Sequence, residues 1–180
     1  MSAHLSSQRI VTARAVLALV WAAAVVVAIG DRVPTTGAEI PLAAAALLAA
    51  YPLIDVVASL ASAHRQPDAS ALRVNAAIST LAAVGIGVTA FGADAAATLT
   101  AFGVWAVVSG PIQFVLALRG TRQVPMLISG GLSTLAGISF LSAAGMPGAH
   151  LAVLAGYMAV GAVLYLVSTR RRRATEPLAG

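Results

Sequence analysis

The chain has 180 residues, of which 59% are hydrophobic and 9% charged. A soluble domain of that size could not cover its surface with so few polar groups, so the composition is that of a membrane protein. The net charge of +5 would suit a nucleic-acid binder, but ten of the eleven arginines fall in four short, separated segments without interleaved aromatics, which argues against that partner. The absence of cysteine excludes disulfides and thiolate metal sites.

Six apolar stretches follow one another, at about residues 10–29, 40–63, 74–92, 95–118, 124–144 and 151–168. Each is close to the ~20 residues with which an α-helix crosses a ~30 Å hydrocarbon layer. The first opens with Arg9 and Arg14 ahead of its apolar run, as a signal peptide would, but Val26-Val27-Ala28 is a poor cleavage site, so it reads as a retained span. The second carries Tyr51, Pro52 and Asp55. Arg73 and Asn75 stand at the mouth of the third and are expected to anchor the interface by snorkelling. The fourth holds Trp105, Ala106, Ser109, Gly110-Pro111 and Gln113; the prolines here and at position 52 are expected to kink their helices. In the fifth, Ser129, Ser133 and Gly137 share one face, and in the sixth Ala152 and Gly156 do; with Ala106 and Gly110 they are expected to pack helices together.

Arginine placement sets the orientation. Arg9 and Arg14 stand at the start of the first stretch, Arg65 and Arg73 flank the gap after the second, Arg119 and Arg122 fill the gap after the fourth, and Arg170, Arg171, Arg172 and Arg173 follow the sixth. The remaining gaps hold Arg32, offset by Asp31 and Glu39, then Asp94, then His150. By the positive-inside rule both termini are cytoplasmic. The four terminal arginines also offer anionic lipid headgroups a site.

A repeat lies within the spans. Tyr51, Trp105 and Tyr157 each stand fourteen residues before an arginine, Arg65, Arg119 and Arg171. An offset of 54 residues superposes Ser79-Thr80-Leu81-Ala82 on Ser133-Thr134-Leu135-Ala136, while the first span shows no match. The fold class expected is therefore all-α and membrane-spanning: six transmembrane helices as three parallel-repeat hairpins, residues 1–173 forming one domain and 174–180 a short cytoplasmic tail.

Asp55 is the one carboxylate deep inside a span, ten residues, or about 15 Å, from Arg65. A carboxyl at that depth stays protonated, finds donors or faces water. Tyr51, Ser59, Ser109 and Gln113 are the donors within reach, and Asp55, Tyr51, Ser109 and Gln113 form the candidate cluster, either proton-titrating or packing. The repeat puts Ser109 and Gly161 at the places equivalent to Asp55, so a ring of carboxylates is absent. His4, His64 and His150 never reach metal-ligand spacing, and the short loops leave no room for a catalytic set, so neither metal, cofactor nor enzymatic activity is expected.

The segments Tyr51-Pro52-Leu53-Ile54-Asp55, Trp105-Ala106-Val107-Val108-Ser109-Gly110 and Ile128-Ser129-Gly130-Gly131-Leu132-Ser133 resemble those of the HdeD family of bacterial inner-membrane proteins, over about Leu42 to Arg173. Family members typically carry Asp-Gly where this chain has Asp55-Val56. The resemblance implies a non-enzymatic, multi-pass inner-membrane protein linked to acid resistance and stress. Its expected partners are the lipid bilayer and further membrane proteins or copies of itself. The alternative is a small channel or carrier that moves protons or a solute, with Asp55 as the titrating group.

Overall fold

The computed structural model describes the backbone of residues 2–30, 34–64, 69–119 and 124–175, and their side chains apart from 2–14, 124–126, 165 and 168–175. The chain forms α1 (Ser2–Ile29), α2 (Leu42–Ala63), α3 (Ser70–Gly92), α4 (Ala95–Arg119), α5 (Val124–Ala144) and α6 (Ala152–Thr175). Arg9, Arg14, Arg32, Arg65, Arg122 and the cluster Arg170 to Arg173 lie outside the described side chains.

Local chemistry sets several of the helix ends. Gly30, at φ 60°, closes α1 with its N–H on the Val26 carbonyl at 3.1 Å, the left-handed position that glycine takes without a Cβ penalty. Asp94 Oδ1 accepts the Ala97 N–H at 2.8 Å and caps α4. Helices α2 and α4 run on through Pro52 and Pro111. The third helix begins at Ser70, four residues before the apolar stretch, which carries Asn75 a full turn into the helix.

α2, α3, α4 and the segment Leu127–Ala144 of α5 are long and apolar enough to cross a membrane; the apolar described parts of α1 and α6, Ala15–Ile29 and Ala152–Leu164, are shorter. Polarity is inverted relative to a soluble protein. Val27 is 79% exposed and Leu42 76%, whereas Asp55, Asn75, Ser79 and Gln113 are buried. Exposed Ser62, Thr100, Ser139 and Ser142 donate to the carbonyl four residues earlier in their own helices. That return bond leaves no hydroxyl hydrogen facing hydrocarbon. These features are those of a membrane-embedded protein.

Each helix packs on its successor and α6 packs on α1, so the six close into a ring. The tight pairs are α4 with α5, α2 with α3 and α1 with α6, so the joints between the expected hairpins are closer than the hairpins themselves. In α4 and α5 the reason is glycine. A Cβ on Gly110 would lie 2.8 Å from the Gly130 carbonyl oxygen and 2.6 Å from Thr134 Oγ1, and one on Gly137 would lie 2.7 Å from the Val107 nitrogen. The backbones touch because nothing stands between them. The packing role expected of Gly156 is not met among the described residues: it is exposed, and beyond its chain neighbours and its own helix backbone no described atom comes within 4 Å of where its Cβ would be.

The two ends of the ring differ. Val25, Leu48, Ile86, Leu99, Phe102, Leu151 and Leu154 are fully buried and all lie in the half nearest the arginine-poor connections. That end is tied shut by backbone bonds: Leu151 N–H to the Pro34 carbonyl (2.9 Å), Thr36 N–H to that of Ala149 (3.1 Å), and Ala95 N–H to that of Ala38 (3.3 Å). The three arginine-poor connections are thereby joined. The buried polar residues other than Thr98 lie toward the opposite end, or, as Ser133, near mid-helix.

Candidate functional site

The buried face of α2 runs Ala44, Leu48, Pro52, Asp55, Ser59, Ala63, steps of three and four that keep one side of a helix inward. On α3 the inward face is Leu72, Asn75, Ala76, Ser79, and on α4 it includes Trp105, Ser109 and Gln113. Asp55 and Ser59, one turn apart, therefore meet Asn75 and Ser79, also one turn apart, across the tight α2–α3 joint.

The carboxylate gathers neutral donors from two other helices. Asn75 Nδ2 donates to Asp55 Oδ2 at 2.7 Å, Ser79 Oγ to the same oxygen at 2.8 Å, and Gln113 Nε2 to Oδ1 at 3.1 Å. Asn75 Nδ2 also donates to Ser59 Oγ at 2.9 Å. The Trp105 indole N–H, which can only donate, reaches Ser79 Oγ at 3.0 Å. Ser79's single hydrogen is left for Asp55, so the bonds run in one direction, α4 to α3 to α2. Asn75 Oδ1 is buried with no partner among the described residues. On α5 and α6 a second serine–aromatic pair, Ser133 and Tyr157, is joined at 2.6 Å.

Asp55 borders a cavity of about 70 Å³ that Tyr51, Trp105, Ser109, Gln113, Ser133 and Tyr157 also line. A neighbouring space of about 80 Å³, reached past Tyr51, Ser129 and Tyr157, extends it toward Gly161. All three aromatics of the fourteen-residue spacing therefore face one interior. Each space admits a few waters and falls several-fold short of the ~300 Å³ at which organic-ligand pockets begin. Two of its lining aromatics are linked by a row of rings on the arginine-poor side: Tyr51 to Phe102 (5.9 Å), Phe102 to Phe140 (6.5 Å) and Phe140 to Tyr157 (5.4 Å), the last two edge-on.

The expected cluster is thus brought together in one place. Gln113 bonds to Asp55, while Tyr51 and Ser109 line the same cavity. Ser129 and Ser133, expected as packing residues, line the cavity system instead, since Gly130 and Gly137 hold the α4 contact. Asn75 requires a larger correction: it is 1% exposed and bonds to Asp55 instead of anchoring an interface, because α3 starts four residues earlier than hydropathy alone implied. Ser79 was also missed as a partner. The signal available for both was the matched i, i+4 polar pairs, Asp55/Ser59 and Asn75/Ser79, on consecutive spans. Arg73 is exposed, as snorkelling requires, and so are His64 and His150. No cluster of three histidine or acidic residues suited to a metal occurs among the described residues.

No family model, curated protein or solved structure matches the chain.

Proposed function

We propose that this is a non-enzymatic, multi-pass protein of the bacterial inner membrane, of the HdeD type and active under acid or related stress, which takes up protons at Asp55. All six helices cross the bilayer in this reading, with both termini cytoplasmic. The observation that carries it is a single carboxylate, hydrogen-bonded from two neighbouring helices, bordering a polar cavity only large enough for water. A site of that size suits a proton better than an organic solute. Exposed aliphatic side chains on α1 (Val20, Val27) and α6 (Val160, Val163) support the inclusion of both helices among the spans. Since apolar packing fills the arginine-poor half, conduction to that side requires the Phe102–Phe140 row to move, and the protein acts as a gated pathway instead of an open pore.

The test is proton flux into liposomes holding the purified protein, followed by an enclosed pH dye under an imposed gradient. Wild type is expected to exceed empty liposomes and Asp55→Asn to match them. Equal flux in both proteins, or none in either, would remove Asp55 from any pathway and leave it a packing residue. Orientation is checked separately. A reporter fused after Gly180 is expected to read cytoplasm, and one inserted at Thr36 to read the outside; the reverse pair would overturn the topology.

A further inference from the structure

The outer surface of the ring carries a further space, apolar and larger where the two inner ones are polar and small. It is an apolar groove of about 360 Å³ between α3 and α4, lined by Leu81, Gly85, Ala101, Val104, Trp105 and Val108 among others. Leu81, Val104 and Val108 are exposed, so the groove faces whatever surrounds the ring. It sits at mid-helix on both elements, and its volume lies in the range of ligand pockets. The α3–α4 joint is one of the three looser ones, which leaves room for a concavity there.

Below the groove, Val108, Ile112, Val115 and Arg119 follow at steps of four, three and four, one stripe of α4. Arg119 is exposed and ends the helix on that stripe. Eleven residues separate it from Val108, about 16 Å at the helical rise. Half of a ~30 Å hydrocarbon core is about 15 Å. A lipid whose phosphate meets Arg119 therefore has its chain end level with the groove.

We propose that the α3–α4 groove binds one acyl chain of an anionic phospholipid from the leaflet at the arginine-rich end, with its phosphate on Arg119 and Trp105 as the inner wall of the site. The charge at one end and the apolar concavity one leaflet deeper select this occupant over a neutral lipid. Among the described residues Trp105 is the one side chain common to the groove and the Asp55 cavity, and its N–H is already committed to Ser79. It presents only ring carbon to an occupant. The proposal stands whether or not Asp55 carries protons.

The chain has two tryptophans, so Trp21→Phe leaves Trp105 as the reporter. Its fluorescence is measured in phosphatidylcholine vesicles containing a minor fraction of lipid brominated near the chain end, either phosphatidylglycerol or phosphatidylcholine. One arginine's attraction corresponds to about a fivefold enrichment of the anionic lipid, so brominated phosphatidylglycerol is expected to quench more strongly. Arg119→Gln should abolish the difference between the two lipids. Gly85→Leu should weaken quenching by both, since beyond its chain neighbours and its own helix backbone no described atom lies within 4 Å of a Cβ there and the side chain would fill the groove without a clash. Equal quenching by both lipids, insensitive to Arg119→Gln, would overturn the headgroup assignment and with it the site. Quenching unchanged by Gly85→Leu, or absent in the parent because a second copy covers the groove, would overturn it too.

Discussion

Replacing Asp55 with alanine is expected to destabilise the protein by about 3 kcal/mol, and replacing it with asparagine by less than about 1 kcal/mol. Alanine removes the acceptor for Asn75, Ser79 and Gln113 at once. Side-chain hydrogen bonds within membranes are worth on the order of 1 kcal/mol apiece, because the unfolded chain in lipid also finds partners. Asparagine keeps one carbonyl oxygen for Asn75 and Ser79. Its amide then meets Gln113, whose own amide can turn to present oxygen, so the network is rewired instead of orphaned. Equilibrium unfolding in mixed detergent micelles measures both variants. Similar losses for the two would show that the carboxyl does more than accept these bonds. A negligible loss for alanine would show that the network does not hold the α2–α3–α4 joint. The contrast also separates stability from transport, since Asp55→Asn is expected to fold well and yet conduct nothing.

An effect at least as large is expected at Gly110. A Cβ there would come within 2.8 Å of the Gly130 carbonyl oxygen and the Thr134 nitrogen, both backbone atoms that cannot rotate away. Gly110→Leu must push α4 and α5 apart along the tightest joint of the ring, at a cost of at least about 3 kcal/mol, the upper end for overpacked cores. Gly156→Leu is the control, with open space at its Cβ position and a shift expected within about 0.5 kcal/mol. The same unfolding assay reads both. Equal tolerance of leucine at Gly110 and Gly156 would refute the close approach of α4 and α5.

These two glycines show where reading the chain succeeds and where it stops. Both sat in small-residue patterns at helical spacing, and both were expected to pack. Spacing reports that a face is small, but two faces must meet before small size matters, and only α4 finds such a partner in α5. Gly130, absent from the expected face, supplies half of that contact. The same limit applies at Asp55. Its place within the second helix, and the nearness of Gln113 on the fourth, followed from counting residues along helices. Its bonds to Asn75 and Ser79 depended on the rotation of α3 about its axis and on a helix start that hydropathy put four residues too late, since Ser70 to Arg73 are helical without belonging to the apolar run.

By itself the sequence determined that the protein is helical and membrane-embedded, where its six helices lie to within a few residues at most of their ends, and which buried acid stands among them. Hydropathy and helix length are sums over neighbouring residues, so they survive without knowledge of the fold. Tertiary structure alone decided that the helices close into a ring through α1 and α6, that the tight joints fall between the expected hairpins, and that Trp105 separates an inner polar cavity from an outer apolar groove. Those facts depend on the phase of each helix relative to its neighbours, and contacts between residues far apart in sequence set that phase.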